Sequence, residues 1–417
     1  MNVFTPAMEI RDTDRFAGRD EELQRLSDAL SSDGVQIVAY GNRGVGKSSL
    51  ARQLEALAGG DKAVLSRVKR QAPQTFDFLT VFFSCDDSVQ SIPRLLLRLL
   101  SDDAAFASWV PFKVVAREGS DEIGGGLNVK IFSVTAKAGK SLTETTQELE
   151  TDVVSVFTNT LKNILDSKVA RDGIVIIIDE FDRIKDRNGL SSLIRTLGPL
   201  GVRFALIGVS TTVQELITEH ESVSRQLADG TVHVTPMSDP DIDDLFDRVE
   251  KLLEKQYVFI PEARERIRSI ARGHPFYVHL VGKHALLRTA ESNARDVTRS
   301  IVDDAMHEIA LKGSAPTQEA TYKSAIGHSY TREFILRTFA SKTSDEIHTT
   351  EAYASIAKAL GIELTAISVY MGHLTSEKYG SVLEKTRERY YRFRDSLFKA
   401  YAAARPWQLK AGDMEEE

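Results

Sequence analysis

The sequence predicts an α/β fold: a doubly wound parallel sheet, then a helical unit, then a C-terminal winged helix-turn-helix. Three observations predict it. Five short apolar runs alternate with amphipathic helical patterns over the first 238 residues, the rhythm of parallel strands joined by crossover helices. A glycine-rich loop separates the first of those runs from a helical pattern. From Asp239 the strand-like runs stop and four amphipathic segments follow one another.

The expected strands are Val35–Tyr40, Phe78–Cys85, Gly173–Glu180, Val202–Ser210 and the short Val232–Pro236. Helical patterns such as Asp152–Leu165 and Leu190–Leu197 lie between them. One stretch, Phe112–Lys137, breaks the rhythm with two strand-like pieces around Gly124, Gly125 and Gly126, and reads as an inserted β-hairpin. The helical unit comprises segments at about 240–255, 262–272, 276–290 and 297–312, closed by a Gly/Ser/Pro linker, Lys312–Gln318. In the last unit, helical patterns cover Thr331–Ala340, Glu351–Leu360 and Glu363–Leu374. Leu364, Ile367, Met371 and Leu374 recur at helical spacing and predict a buried stripe. Two strands and a closing helix follow. The expected division is therefore a core over 1–238 with the hairpin at about 112–137, a four-helix lid and linker over 239–318, a winged helix over 319–405, and an acidic tail over 406–417.

Composition narrows the partners. The chain has 53 Lys+Arg against 60 Asp+Glu, a net charge of −7, so any DNA contact must use a local patch rather than bulk charge. A single cysteine, Cys85, excludes a disulfide framework and a cysteine-based zinc site. No basic stretch followed by an apolar core opens the chain, and the longest apolar runs, Ile174–Ile178 and Leu95–Leu100, fall far short of the ~18 residues a membrane helix needs. The expectation is a soluble cytoplasmic protein with no membrane partner.

The chemistry concentrates in Gly41-Asn42-Arg43-Gly44-Val45-Gly46-Lys47-Ser48, which satisfies G-x-x-x-x-G-K-[ST] between a strand and a helix. The glycines let backbone N–H groups curl around a β-phosphate at the positive end of the helix. Lys47 reaches the β- and γ-phosphates, and the Ser48 hydroxyl ligates Mg²⁺. The loop through Ser49 is thus assigned to ATP. Its partner is the run of five β-branched residues Ile174–Ile178, which carries Asp179 and Glu180 to the carboxyl end of a buried strand, where doubly wound sheets bind ligands. Asp179 is expected to hold Mg²⁺ through water, and Glu180 to polarise the attacking water.

With FAGRDEELQRL (Phe16–Leu26), these motifs, the lid and the terminal unit, the chain resembles AAA+ ATPases over about residues 14–405, in the branch shared by origin-recognition-type initiators and STAND signalling ATPases. The resemblance implies that Phe16, Gly18 and Arg19 border the adenine. It implies that Ser210, with Thr211, ends the fourth strand as a sensor of the γ-phosphate or lytic water. Ser224-Arg225 resembles the initiators' Ser-Arg pair, whose arginine acts in trans on a neighbouring subunit, so a homo-oligomer is implied. Gly273-His274-Pro275 resembles the STAND motif that packs a proline near the base. Phe276 stands where initiators carry a lid arginine, a departure towards STAND-like switching.

The terminal unit admits two readings. The outward positions of its third helix, Thr365, Ser368, Val369, Gly372 and His373, include no Arg or Lys to anchor phosphate. The wing is richer, with Lys385, Arg387, Arg389, Arg392 and Arg394 near Tyr390 and Tyr391, and residues 325–410 carry 13 basic against 9 acidic residues, net +4. Regulatory packing on the ATPase and DNA binding through the winged helix both stay open. Function accordingly divides between a STAND-type ATPase switch controlling self-assembly and an unidentified protein partner, a DNA-binding initiator or transposition-type regulator, and a nucleotide-locked scaffold.

Overall fold

The computed structural model describes residues 3–68, 75–102, 106, 109–110, 112–115, 128–133, 149–217, 220–344 and 346–410. In chain order the core strands are β1 (Ile37–Gly41) and β2 (Phe78–Ser84), then an insertion of β3 (Phe112–Val115), β4 (Asn128–Ser133) and β5 (Leu149–Asp152), then β6 (Gly173–Asp179), β7 (Val202–Val209) and β8 (Thr231–His233). The central sheet is parallel, in the order β2-β6-β7-β1-β8. All five predicted core strands are present. Because side chains alternate across a strand, the β-branched run of β6 is buried on both faces. Val175 and Ile177 join the layer of α1 (Asp20–Ser31) and α2 (Lys47–Ala58), beyond which lies the single turn α3 (Lys62–Leu65). Ile174, Ile176 and Ile178 face the layer of α4 (Ile92–Asp102), α5 (Val153–Ser167), α6 (Leu190–Leu197), the single turn α7 (Val213–Leu216) and α8 (His220–Leu227).

The insertion corrects the expected hairpin. β3 and β4 do pair antiparallel, Phe112 opposite Ser133, but a third strand, β5, pairs with β4. Leu-Glu-Thr-Asp has one apolar residue and no alternation to read. The three glycines expected at the hairpin's turn lie outside the described residues.

The lid is α9 (Asp239–Leu252), α10 (Pro261–Ala271), α11 (Pro275–Glu291) and α12 (Arg299–Leu311), with the two-residue strands β9 (Val258–Phe259) and β10 (Asp296–Val297) bridged in parallel. Ser238 and Asp241 close a capping box at the start of α9. The following residues correct the linker. α13 (Pro316–Ile326) begins inside it, with proline at a first-turn position where its missing N–H costs nothing. Then come α14 (Tyr330–Ser341), β11 (Ile347–His348), α15 (Thr349–Leu360), α16 (Leu364–Thr375), β12 (Leu383–Arg387), β13 (Tyr390–Phe393) and α17 (Ser396–Ala404), the strands ordered β11-β13-β12. The unit thus runs helices, a two-stranded hairpin and a closing helix. In α16, Ile367, Met371 and Leu374 are fully buried, but Leu364 is 55% exposed because it begins the helix and looks past its neighbours.

Lid and terminal unit share one hydrophobic core, which runs from Ile242 through Tyr277 and Phe339 to Tyr401. Residues 406–410, assigned by sequence to the tail, are docked instead. The N–H groups of Gln408 and Leu409 donate to the Glu333 carboxylate at 2.7 and 2.9 Å, and Trp407 stacks on Tyr330. Behind them, Arg405 grips Glu319 with two hydrogen bonds at 2.8 and 2.9 Å. No single helix among the described residues is long and apolar enough to cross a membrane.

Candidate nucleotide site

The carboxyl ends of β1, β6 and β7 open into a cavity of about 560 Å³ bounded by the glycine-rich loop, the lid and the chain's first residues. The loop's shape follows from its glycines. Gly41, Gly44 and Gly46 have φ of 155°, 76° and 98°, and a side chain on Gly41 would meet the Val234 carbonyl at 2.2 Å. Gly46 caps α2, so its first N–H groups point at the loop's mouth.

Lys47 is buried, its Nζ donating to the carbonyls of Gly41 at 3.0 Å and Asn42 at 2.8 Å. Burial pushes its pKa down to about 8, against the opposing pull of Asp182 and Asp179. Asp179 is also buried; desolvation raises its pKa, while hydrogen bonds from the Ser48 hydroxyl and the Glu180 N–H (2.9 Å) favour the carboxylate. A serine hydroxyl beside a buried carboxylate at a phosphate-binding loop suits Mg²⁺, which takes one or two protein oxygens and fills its shell with phosphate and water. Glu180 sits at φ 54° just past β6, its carboxylate half exposed and 2.5 Å from the Arg183 guanidinium, which also binds Asp87.

Most residues expected at the nucleotide line this one cavity: Phe16, Arg19, Arg43, Gly44, Val45, Gly46, Lys47, Ser48, Ser49, Asp179, Glu180 and Pro275. Gly41 and Asn42 contribute the carbonyls under Lys47. Pro275 lies against the loop, its Cγ 3.5 Å from where a Gly46 side chain would start. Arg19 borders the cavity but commits its guanidinium to Glu22, the Val45 carbonyl (2.9 Å) and the Thr235 carbonyl (2.6 Å), so it braces the loop. Gly18 and Thr211 do not line the cavity, and Ser210 and Arg225 lie elsewhere. The Ser210 hydroxyl is spent on Glu215 (2.6 Å) and the Thr212 carbonyl, behind the cavity wall formed by Gly208 and Val209. Arg225 is exposed on α8, away from its own chain's cavity.

Four contributions have no sequence motif. Residues 5–10 form a strap over the cavity, its Ile10 N–H on Ser49 Oγ at 3.0 Å, and the preceding, buried Phe4 is set in the lid against Phe259 and His279. Arg67 holds the Phe16 turn through the Phe16 and Gly18 carbonyls, both at 2.5 Å. Asp182 accepts the Val209 N–H at 2.8 Å and faces the cavity three residues after Asp179, where an extra acid was readable. Leu397, at the start of α17, presses on the loop: a side chain on Gly44 would meet its Cδ1 at 2.9 Å. The Tyr277 hydroxyl of the lid donates to the Leu397 carbonyl at 2.9 Å.

Residues 15–207 match the family model of the AAA ATPase domain. No curated protein matches the chain in sequence. Among solved structures, the chain is similar to Cdc6p from Pyrobaculum aerophilum at 12% identity, covering 96% of each chain with a TM-score of 0.45. It is similar to the ORC2 protein of Aeropyrum pernix, described as ADPNP–ADP complexes, at 14% identity over 96% of this chain and 95% of that one, TM-score 0.46. It is also similar to the RuvB Holliday junction branch migration motor of Thermotoga maritima, at 15% identity over 91% and 93%, TM-score 0.43.

Proposed function

We propose that this chain, whose residues 15–207 match the family model of the AAA ATPase domain, binds and hydrolyses ATP as a switch whose nucleotide state moves the lid and terminal unit. The observation that carries the switch is the contact of Leu397 with the phosphate loop at Gly44, locked to the lid by the Tyr277 hydroxyl. A loop that closes on phosphate and a helix that leans on that loop cannot move independently.

The geometry of the cavity supports the following division of roles. Lys47 exchanges its two carbonyl partners for β- and γ-phosphate oxygens. Ser48 and Asp179 would hold Mg²⁺, which supplies charge neutralisation at the phosphates. Glu180, released from Arg183, orients the attacking water. Arg225 is free to enter a neighbour's site in a homo-oligomer, and the partner protein would meet the unit that α17 anchors.

Regulatory packing is the reading of the terminal unit we favour over DNA binding. The outward face of α16 carries the exposed apolar Leu364 and Val369 and no cation. In the wing, Arg387 is paired with Glu346 and Arg392 with Glu384. The test is Leu397→Asp, which charges the contact. It should raise ATP turnover and speed amide exchange in 396–404; unchanged turnover and exchange would refute the coupling.

A further inference from the structure

On the lid side of the cavity stands a side chain with no part in the chemistry above. His279, on α11, is 7% exposed and lines the cavity beside Pro275 and Phe276. Its Nδ1 accepts the Thr5 N–H of the strap at 3.4 Å, and the Phe4 ring stands edge-on to it at 5.8 Å. Burial, with the Arg15 guanidinium nearby, pushes its pKa down to about 4, so the ring is neutral. A neutral imidazole that accepts at Nδ1 carries its proton on Nε2. No described residue takes up that donor.

Of the other polar side chains here, only the Arg15 Nε is unpartnered, and that atom is fully buried, out of a ligand's reach. Glu9 pairs with Arg11 and Arg52, and Arg15 donates to the Val3 carbonyl and the Thr5 hydroxyl. Ile10, Phe16, Met237 and Leu245 make the remaining walls apolar. A flat heterocycle seated among them can meet the Nε2–H of His279.

We propose that His279 reads the nucleobase: its Nε2–H donates to N1 of adenine, and the Thr5 N–H fixes the tautomer that makes it a donor. The proposal rests on the ATP reading above and adds its base selectivity. Guanine carries a hydrogen at N1, so at His279 donor would face donor.

The test is calorimetric titration with Mg²⁺ and ATP, GTP or 1-deaza-ATP, in which a C–H replaces N1, on wild-type protein, His279→Ala and His279→Gln. Wild-type protein should bind ATP at least ~10-fold tighter than GTP, and about 3- to 10-fold tighter than 1-deaza-ATP, the worth of one hydrogen bond. His279→Ala should weaken ATP by the same factor and leave 1-deaza-ATP unchanged. His279→Gln, which keeps an N–H, should recover part of the loss. Equal wild-type affinity for ATP and 1-deaza-ATP overturns the proposal. So does equal weakening of both by His279→Ala. The analogue alters the ligand and not the chain, so a folding defect cannot imitate its effect. Binding of all three nucleotides that Lys47→Ala leaves untouched would overturn the ATP reading itself, and this proposal with it.

Discussion

If the cavity binds ATP on Lys47 as proposed, affinity should depend on pH with a sign and size set by the lysine's burial. Its pKa is pushed down to about 8, whereas an ammonium among phosphates is favoured in its charged form. At pH 8.5 such a lysine is protonated in about a quarter of molecules, so binding ATP should take up about 0.75 proton, against about 0.1 at pH 7. Affinity must then fall as pH rises, by about 25-fold between pH 7.5 and 9.5. Calorimetry in buffers of different ionisation enthalpy reads the proton directly, and Lys47→Arg, charged throughout, should flatten the profile. Folding stability moves the other way. The unfolded chain holds this proton up to the ordinary lysine pKa, so the lysine's share of stability rises with pH from about 8 to 10.5. Wild-type affinity that is flat from pH 7.5 to 9.5, with no buffer-dependent enthalpy, would show that no depressed lysine titrates on binding.

Glu180→Gln should keep ATP affinity and slow turnover at least ~10²-fold, in a phosphate-release assay. Arg225→Ala should keep affinity and lose turnover; mixing it with Lys47→Ala subunits should restore part, because those subunits lend their Arg225 to intact loops. Fingers of this kind are worth ~10³–10⁵ in rate, so partial rescue is measurable, and wild-type specific activity should rise with protein concentration. Arg405→Ala strands the buried Glu319 carboxylate and should cost about 3–5 kcal/mol in denaturant unfolding, with nucleotide affinity unchanged.

The core was legible because its signals are local. A β-branched run such as Ile174–Ile178 has few alternatives to a strand buried on both faces, and the loop after β1 needs its glycines where backbone meets phosphate. What the sequence left obscure depends on contacts between distant segments. Nothing in Thr5 or Phe4 announces that they reach His279, 274 residues beyond Thr5. Leu397 reads as an ordinary apolar helix residue until the loop is found beneath it. Arg19 fits its motif, yet its donors go to backbone carbonyls, a choice that only the packed loop dictates. Residues 406–410 were lost to the acidic run that follows them, though Trp407 was a packing signal.

The central claim is that this cavity is an ATP site built on Lys47. Titration of the wild-type chain with ATP and Mg²⁺ beside Lys47→Ala tests it most directly. The wild type should bind one nucleotide per chain saturably, and the variant at least ~10²-fold more weakly, because it loses a desolvated charge–phosphate contact. Equal affinity in the two proteins would contradict it.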